Sequence, residues 1–184
     1  MAPTGDVTRP RVVASSTMLQ DLTARVGGTR IRLTGLMAPG DDPHVYEPVP
    51  RDTVAIEKAD LVLLNGYHLE PQVIRLAESN ARGRVAAVGE KVKPLPFAQA
   101  GATVPDPHVW GSAKNGMVIV EAIRDELVRL SPGDRALFTA NASIELNRLR
   151  RLDAWIARQI QTIPADRRHL VTTHDAFQYF AQAY

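Results

Sequence analysis

The chain has 184 residues, of which 45% are hydrophobic and 23% are charged, a composition that suits one compact domain or little more. Its 22 basic and 20 acidic residues leave a net charge of +2, and they form no cationic block. The sequence therefore shows no basic surface of the kind that binds nucleic acid. The absence of cysteine excludes disulfides, thiolate metal sites and thiol nucleophiles, so any metal must be held by His, Asp, Glu or backbone oxygen. The five histidines therefore carry most of the chemical information.

Membrane targeting has no sequence signal in this chain. Residues Met1 to Asp6 have neither the charged region nor the apolar region of a secretory signal. No apolar run approaches the roughly 20 residues that a membrane-spanning helix needs. We therefore expect no signal or anchor segment here and no direct insertion of the chain into a membrane.

The first half of the chain alternates predicted strands with predicted helices. The strands are residues 11–15, 31–37, 61–64 and 84–88, and the helices between them cover residues 17–27, a short segment opened by Pro50, and residues 69–78. Thr17 is the expected N-cap of the first helix. Because each strand is continuously apolar, we predict an α/β fold with a doubly wound parallel sheet covered on both faces.

The second half contains fewer and longer elements. Residues 90–107 show no periodicity and predict a long loop, after which Ser112 caps a helix that ends near Leu130. Residues 134–161 predict one amphipathic helix of roughly 42 Å. A strand at 169–173 and a helix at 175–184 follow. We therefore predict an N-terminal α/β lobe at 1–133, a linking helix at 134–163, and the start of a second α/β lobe at 164–184.

Two nearly identical five-residue units carry the chemistry. They are Asp42-Pro43-His44-Val45-Tyr46 and Asp106-Pro107-His108-Val109-Trp110, each in a loop after a predicted strand. Proline holds the preceding Asp in extended backbone, and that carboxylate can orient the imidazole of a metal-bound histidine. Thr173-His174-Asp175 places a third His beside an Asp at the end of a predicted strand.

All three of these histidines belong to the carboxyl edge of the predicted sheet, where α/β proteins bind ligands. We therefore predict a metal site formed by His44, His108 and His174. Three imidazoles suit Zn²⁺, and Mn²⁺ is possible if a carboxylate joins them. We interpret His68 and His169 as surface histidines, and Tyr46 and Trp110 as residues that wall the site.

An alternative is a zinc-dependent hydrolase that uses the three His ligands and a bound water. Asp175 or Glu47 would be its general base. The sequence has no His-Glu-x-x-His helix and no carboxylate whose spacing marks it as a base. Ligand binding without catalysis is the reading that the residues favour.

The motifs also resemble a known family. They are Pro39 to Pro48, Ala59-Asp60-Leu61-Val62 with Asn65-Gly66 and Leu69-Glu70, Asp106 to Trp110, and Thr172 to Phe177 with Tyr179-Phe180. Together they make the chain resemble, from about Val12 to Tyr184, the cluster A-I (zinc/manganese type) substrate-binding proteins of bacterial metal ABC transporters.

The resemblance implies a non-enzymatic receptor with two lobes joined by a long helix. The receptor works outside the cytoplasm, periplasmic or anchored at the cell surface, and delivers its metal to a membrane-embedded ABC permease. His44 and His108 would be ligands from the first lobe and His174 the first ligand from the second, while the fourth, acidic ligand would fall beyond Tyr184. Zinc-dedicated members often carry a His-rich loop, and residues 90–107 contain no histidine, so manganese stays open. Some relatives are also assigned a role in cell adhesion.

Overall fold

The computed structural model describes residues 9–99 and 101–184, so the expectation about residues 1–6 lies outside the described part of the chain. A four-stranded parallel sheet forms its centre, in the order β2-β1-β3-β4. Its strands are β1 Arg11–Ala14, β2 Arg32–Gly35, β3 Leu61–Leu64 and β4 Arg84–Ala87. The helices are α1 Thr17–Gly27, α2 Pro50–Lys58, α3 Pro71–Asn80, α4 Ala113–Leu130, α5 Arg135–Gln161 and α6 Gln178–Ala183.

Each face of the sheet is covered by its own set of helices. Val12 and Leu63 point into a core shared with α1, α4 and α5, whereas Val13 and Val62 point into a second core with α2 and α3. Successive residues of a strand face opposite sides, so a continuously apolar strand supplies both cores. The predicted doubly wound parallel sheet is confirmed.

The helix starts follow local capping chemistry. Ser16, in extended backbone, accepts a hydrogen bond from the N–H of Leu19 at 3.4 Å and is the N-cap of α1. The prediction that Thr17 caps this helix was wrong by one residue, because Thr17 already lies in the first turn. Ser112 caps α4 as predicted and accepts a hydrogen bond from the N–H of Lys114 at 3.2 Å.

The segment at 90–107 is not an irregular loop throughout. It contains an antiparallel hairpin of two strands, β5 Pro96–Gln99 and β6 Ala102–Pro105. Gly101, at φ 81°, adopts the left-handed backbone that a tight hairpin turn requires. Pro96 pairs with Pro105 at the open end, where the missing N–H groups cost little. These prolines masked the strand signal in the sequence.

The long helix α5 is present as predicted, with its buried residues in its first half. Phe138, Ala142 and Leu146 pack into the core, and no residue of α5 after Leu146 is buried. Leu152 and Trp155 are about half exposed. None of the helices in the described part of the chain combines the length and apolar character that crossing a bilayer demands.

The predicted strand at 169–173 was wrong. Residues 169–173 form no strand, and Val171 is 93% exposed. A strand needs a neighbouring strand to satisfy its N–H and C=O groups, and within residues 9–99 and 101–184 none lies beside this segment. The helix predicted at 175–184 is present but shorter, and α6 covers only Gln178–Ala183.

Candidate metal centre

Three chain segments bring the predicted histidines to one place. His44 lies in the loop after β2, His108 follows the hairpin, and His174 lies between α5 and α6. Nε2 of His108 is 3.0 Å from Nε2 of His44 and 3.1 Å from Nε2 of His174. The three ligand atoms lie within 4.8 Å of one another. His174 therefore reaches the other two without the strand end that was expected to carry it.

The three imidazoles differ in exposure. His108 is only 2% exposed, His44 is partly buried and His174 is exposed. Burial lowers the pKa of His44, the neighbouring His108 lowers it further, and Asp42 opposes the shift. Neutral imidazole is the form that binds a metal ion, so a lowered pKa keeps His44 ready to act as a ligand at neutral pH.

Asp106 orients His108 through two hydrogen bonds. Its Oδ1 lies 2.8 Å from Nδ1 of the His108 ring and accepts the backbone N–H of the same residue at 2.9 Å. The ring contact places the imidazole proton on Nδ1, so the lone pair of Nε2 faces His44 and His174.

Asp42 does not orient His44 in the same way. Its Oδ1 accepts the backbone N–H of His44 at 2.9 Å, and among the described residues no hydrogen bond joins this carboxylate to the ring. Asp42 is exposed whereas Asp106 is fully buried, so the two sequence units differ in their contacts with the ring. The predicted orienting role therefore holds geometrically for one unit and fails for the other.

A buried polar network supports the loop of His108 from below. The Asn65 side chain donates to the carbonyl oxygen of Pro107 at 2.9 Å. Oε1 of Glu70 accepts from the N–H of Asn65 and from the Ser15 hydroxyl, each at 2.7 Å. Burial raises the pKa of Glu70, and these donors oppose the shift. Sequence reasoning missed this role, although Asn65 directly after an all-buried strand was a usable signal.

The two aromatic residues of the duplicated units do different work. The centroid of the Trp110 ring lies 5.5 Å from that of the His108 ring in an edge contact, so Trp110 packs against one predicted ligand. The Tyr46 hydroxyl instead donates to Asp52 at 2.9 Å, and burial together with this bond raises the pKa of Tyr46 to about 12. Tyr46 therefore anchors its loop to the start of α2.

The histidines open into a cavity of about 860 Å³ whose other lining residues include Phe97, His68 and Glu90. His68 is exposed, as predicted, but it also borders this cavity. Tyr67 and His68 have φ of 52° and 56°, which non-glycine residues rarely adopt. His169 is exposed, and its ring lies 3.1 Å from the carbonyl oxygen of Asp166.

Neither base proposed for a hydrolase belongs to the cluster. Glu47 and Asp175 are exposed, and within the described residues the group of ligand atoms contains His44, His108 and His174 without a carboxylate. The arrangement can coordinate a metal ion through three neutral nitrogens.

Comparison with known proteins decides the family. Residues 12–184 match the family described as ZnuA, the zinc-uptake complex component A, periplasmic. The chain belongs to this family. The resemblance inferred from the histidine motifs is therefore confirmed, and the comparisons give no support to the hydrolase alternative.

Individual members of the ZnuA family carry different metals in their names. The manganese-binding lipoprotein MntA of Halalkalibacterium halodurans is 37% identical, over 95% of this chain and 57% of its own length. The zinc-binding protein TroA of Treponema pallidum is 38% identical, over 96% of this chain and 58% of its own length. The chain thus spans less than two thirds of these relatives.

A solved structure agrees with the same assignment. The periplasmic zinc-binding protein TroA from Treponema pallidum superimposes with a TM-score of 0.89 at 36% identity. The match covers 96% of this chain and 64% of the TroA chain. The parallel sheet, its covering helices and the long helix α5 therefore follow the TroA-like fold.

Proposed function

We propose that this chain captures a divalent transition metal as cargo, as part of an extracytoplasmic receptor that hands the metal to a membrane-embedded ABC permease. The observation that carries the proposal is the convergence of three imidazole nitrogens on one point, with His108 oriented by a buried carboxylate. The ligands are His44, His108 and His174. The family and the relatives named for zinc and manganese support the same function.

The donor set suits zinc and leaves manganese open. Two nitrogens bound at about 2.0–2.1 Å to one tetrahedral zinc ion would lie about 3.4 Å apart. Nε2 of His108 lies 3.0 and 3.1 Å from the Nε2 atoms of His44 and His174, and all three ligand atoms lie within 4.8 Å of one another, so ring movements that bring them to this spacing would admit an ion. A fourth position is left for water or a carboxylate, and a carboxylate would improve the fit for manganese.

Reversible capture follows from the chemistry of the three rings. His108 offers a lone pair at Nε2 because Asp106 holds its proton on Nδ1. When the ion binds, the rings of His44 and His174 lose their hydrogen bonds to Nε2 of His108, and metal–nitrogen bonds replace them. No bond of a substrate is broken, so the function is transport without catalysis.

The proposed division of labour follows the predicted segments. Residues 1–133 form the lobe that carries His44 and His108, residues 134–163 form the linking helix, and residues 164–184 begin the second lobe with His174. The second half of α5 has no buried residue, which supports this division. A helix that only covered the first lobe would have buried residues on one face along its whole length. The receptor works in the periplasm or anchored at the cell surface.

Metal titration beside a hydrolysis assay tests the proposal. The purified, chelator-treated protein is titrated calorimetrically with zinc chloride and with manganese chloride, and the zinc-loaded protein is then given ester and peptide substrates. We expect one metal ion bound per chain and no turnover. Absence of binding for both metals, or turnover that disappears with His108→Ala, contradicts the proposed function.

A further inference from the structure

Tyr179 joins the segment that carries His174 to the segment that carries His108. It lies in α6 and is 3% exposed. Its hydroxyl donates to the carbonyl oxygen of Asp106 at 2.8 Å and accepts from the N–H of Leu95 at 3.1 Å. The N–H of Asp106 in turn donates to the carbonyl oxygen of Leu95 at 2.8 Å. One phenol therefore fastens α6 to the base of the hairpin.

This fastening acts directly on the residues behind the candidate metal centre. Asp106 is the carboxylate that orients His108, and its own backbone carbonyl is the acceptor for Tyr179. Tyr179 follows His174 by five residues along the chain. Tyr179 is thus close in sequence to His174, and its hydroxyl bonds to Asp106, the residue that orients His108.

Apart from the contact of its ring with His108, His174 has few interactions that hold it in place. It is exposed, it lies in no strand, and its backbone carbonyl bonds only within its own turn, to Thr172 at 2.7 Å and Ala176 at 3.0 Å. Tyr179 is the one buried residue between Pro164 and Tyr184. The position of His174 relative to His108 therefore depends on where α6 is docked.

We infer that Tyr179 is a positioning residue that sets the distance between His174 and His108 and so couples the two sides of the metal centre. The inference rests on the proposed function. Metal–nitrogen bonds tolerate displacements of only about 0.2 Å, so a loosened α6 withdraws one ligand. Phenylalanine would keep the buried ring and leave the carbonyl of Asp106 and the N–H of Leu95 without their partner.

Two matched tyrosine variants test the coupling. Tyr184 ends the same segment, and its hydroxyl accepts from the N–H of Ala113 at 3.3 Å and donates to Asp153 at 3.0 Å, away from the histidines. We expect Tyr179→Phe to weaken zinc binding about tenfold, the range found for groups that orient metal ligands. Tyr184→Phe should leave zinc affinity within about twofold, although it also loses two hydrogen bonds.

A double-mutant cycle separates coupling from general support. If Tyr179 acts by holding His174, then Tyr179→Phe has no further effect on zinc affinity in a His174→Ala background. Cobalt provides a spectroscopic readout, because loss of one imidazole changes the visible absorption of bound Co²⁺. An undiminished tenfold loss in the His174→Ala background, or no loss in the wild-type background, overturns the inference.

A metal-free measurement keeps this test distinct from the proposed function. Imidazole ¹⁵N chemical shifts of His108 and His174 report the contact between their Nε2 atoms. Tyr179→Phe should shift both signals and Tyr184→Phe should shift neither. A wild-type protein that binds no metal overturns the proposed function, while unchanged shifts in Tyr179→Phe overturn the positioning role.

Discussion

Oδ1 of Asp106 lies 2.8 Å from Nδ1 of His108, and both side chains are buried. A carboxylate in this position keeps the ring proton on Nδ1 and leaves the lone pair on Nε2. The corresponding pair at Asp42 and His44 lacks the ring contact. Of the two copies of the sequence unit, one therefore holds its imidazole, that of His108, with its own aspartate. In the other copy the aspartate does not contact the ring of His44.

Removing the two aspartates should have unequal effects. Asp106→Ala takes away the acceptor of the His108 ring and should weaken zinc binding by about 10–100-fold. Asp42→Ala is the matched control, since it loses only a backbone contact, and should weaken binding much less. Asp106→Asn keeps an acceptor oxygen and should fall between them. Competition with a zinc-chelating dye measures all three, and equal losses for the two alanine variants would contradict the orienting role.

Single alanine substitutions should distinguish the three proposed ligands from a histidine outside the cluster. His44→Ala and His108→Ala each remove one nitrogen from the cluster and should abolish most metal binding, and His174→Ala should weaken it. His169→Ala is the control, because this exposed ring lies outside the cluster. Calorimetry with zinc chloride is the measurement. Retained affinity in His108→Ala, or a comparable loss in His169→Ala, would rule out this ligand set.

Glu70 predicts a pH dependence of stability. Because burial raises its pKa in the folded protein, the folded state holds a proton that the unfolded state releases above about pH 4.3. The free energy of unfolding therefore falls as pH rises from the pKa of Glu70 in the unfolded chain to its raised pKa in the folded protein, by up to about 1.4 kcal/mol per pH unit. Glu70→Gln is neutral at every pH and should remove this part of the slope.

Urea unfolding from about pH 5 to about pH 8 measures the effect. The stability of Glu70→Gln relative to the wild type should increase with pH. Glu78→Gln changes an exposed glutamate within α3, the helix that Glu70 precedes as N-cap, and serves as the control. Parallel pH profiles for the wild type and Glu70→Gln would show that Glu70 does not titrate differently in the two states.

Gly66 should be intolerant of a side chain for two reasons. Its φ is 83°, and a Cβ there would come within 2.6 Å of the Glu90 carboxylate, which accepts the N–H of Tyr67. Gly40→Ala is the matched control, since φ is 98° but nothing lies within 4 Å. Because the exposed Glu90 side chain can move aside by giving up its hydrogen bond with Tyr67, we expect Gly66→Ala to cost about 0.5–1.5 kcal/mol more than Gly40→Ala in chemical unfolding. Equal costs would show that backbone strain alone matters at Gly66.

The sequence alone determined the sheet and the proposed ligands. Four apolar runs predicted four buried parallel strands, and the alternating helices followed from capping residues and periodicity. The duplicated Asp-Pro-His unit singled out His44 and His108, and the Thr-His-Asp segment singled out His174. These features are local, because burial on both faces and a proline-locked turn leave a signal within a few residues.

Only the tertiary structure decided how these ligands are held. The hairpin at 96–105 was hidden by its prolines, and the strand expected at 169–173 is missing because none of the described strands lies beside it. The contacts of Asn65 with Pro107 and of Tyr179 with Asp106 join residues 42 and 73 positions apart. Such pairs leave no periodicity in the sequence, since each is created only when distant segments pack and a buried polar group must find its partner.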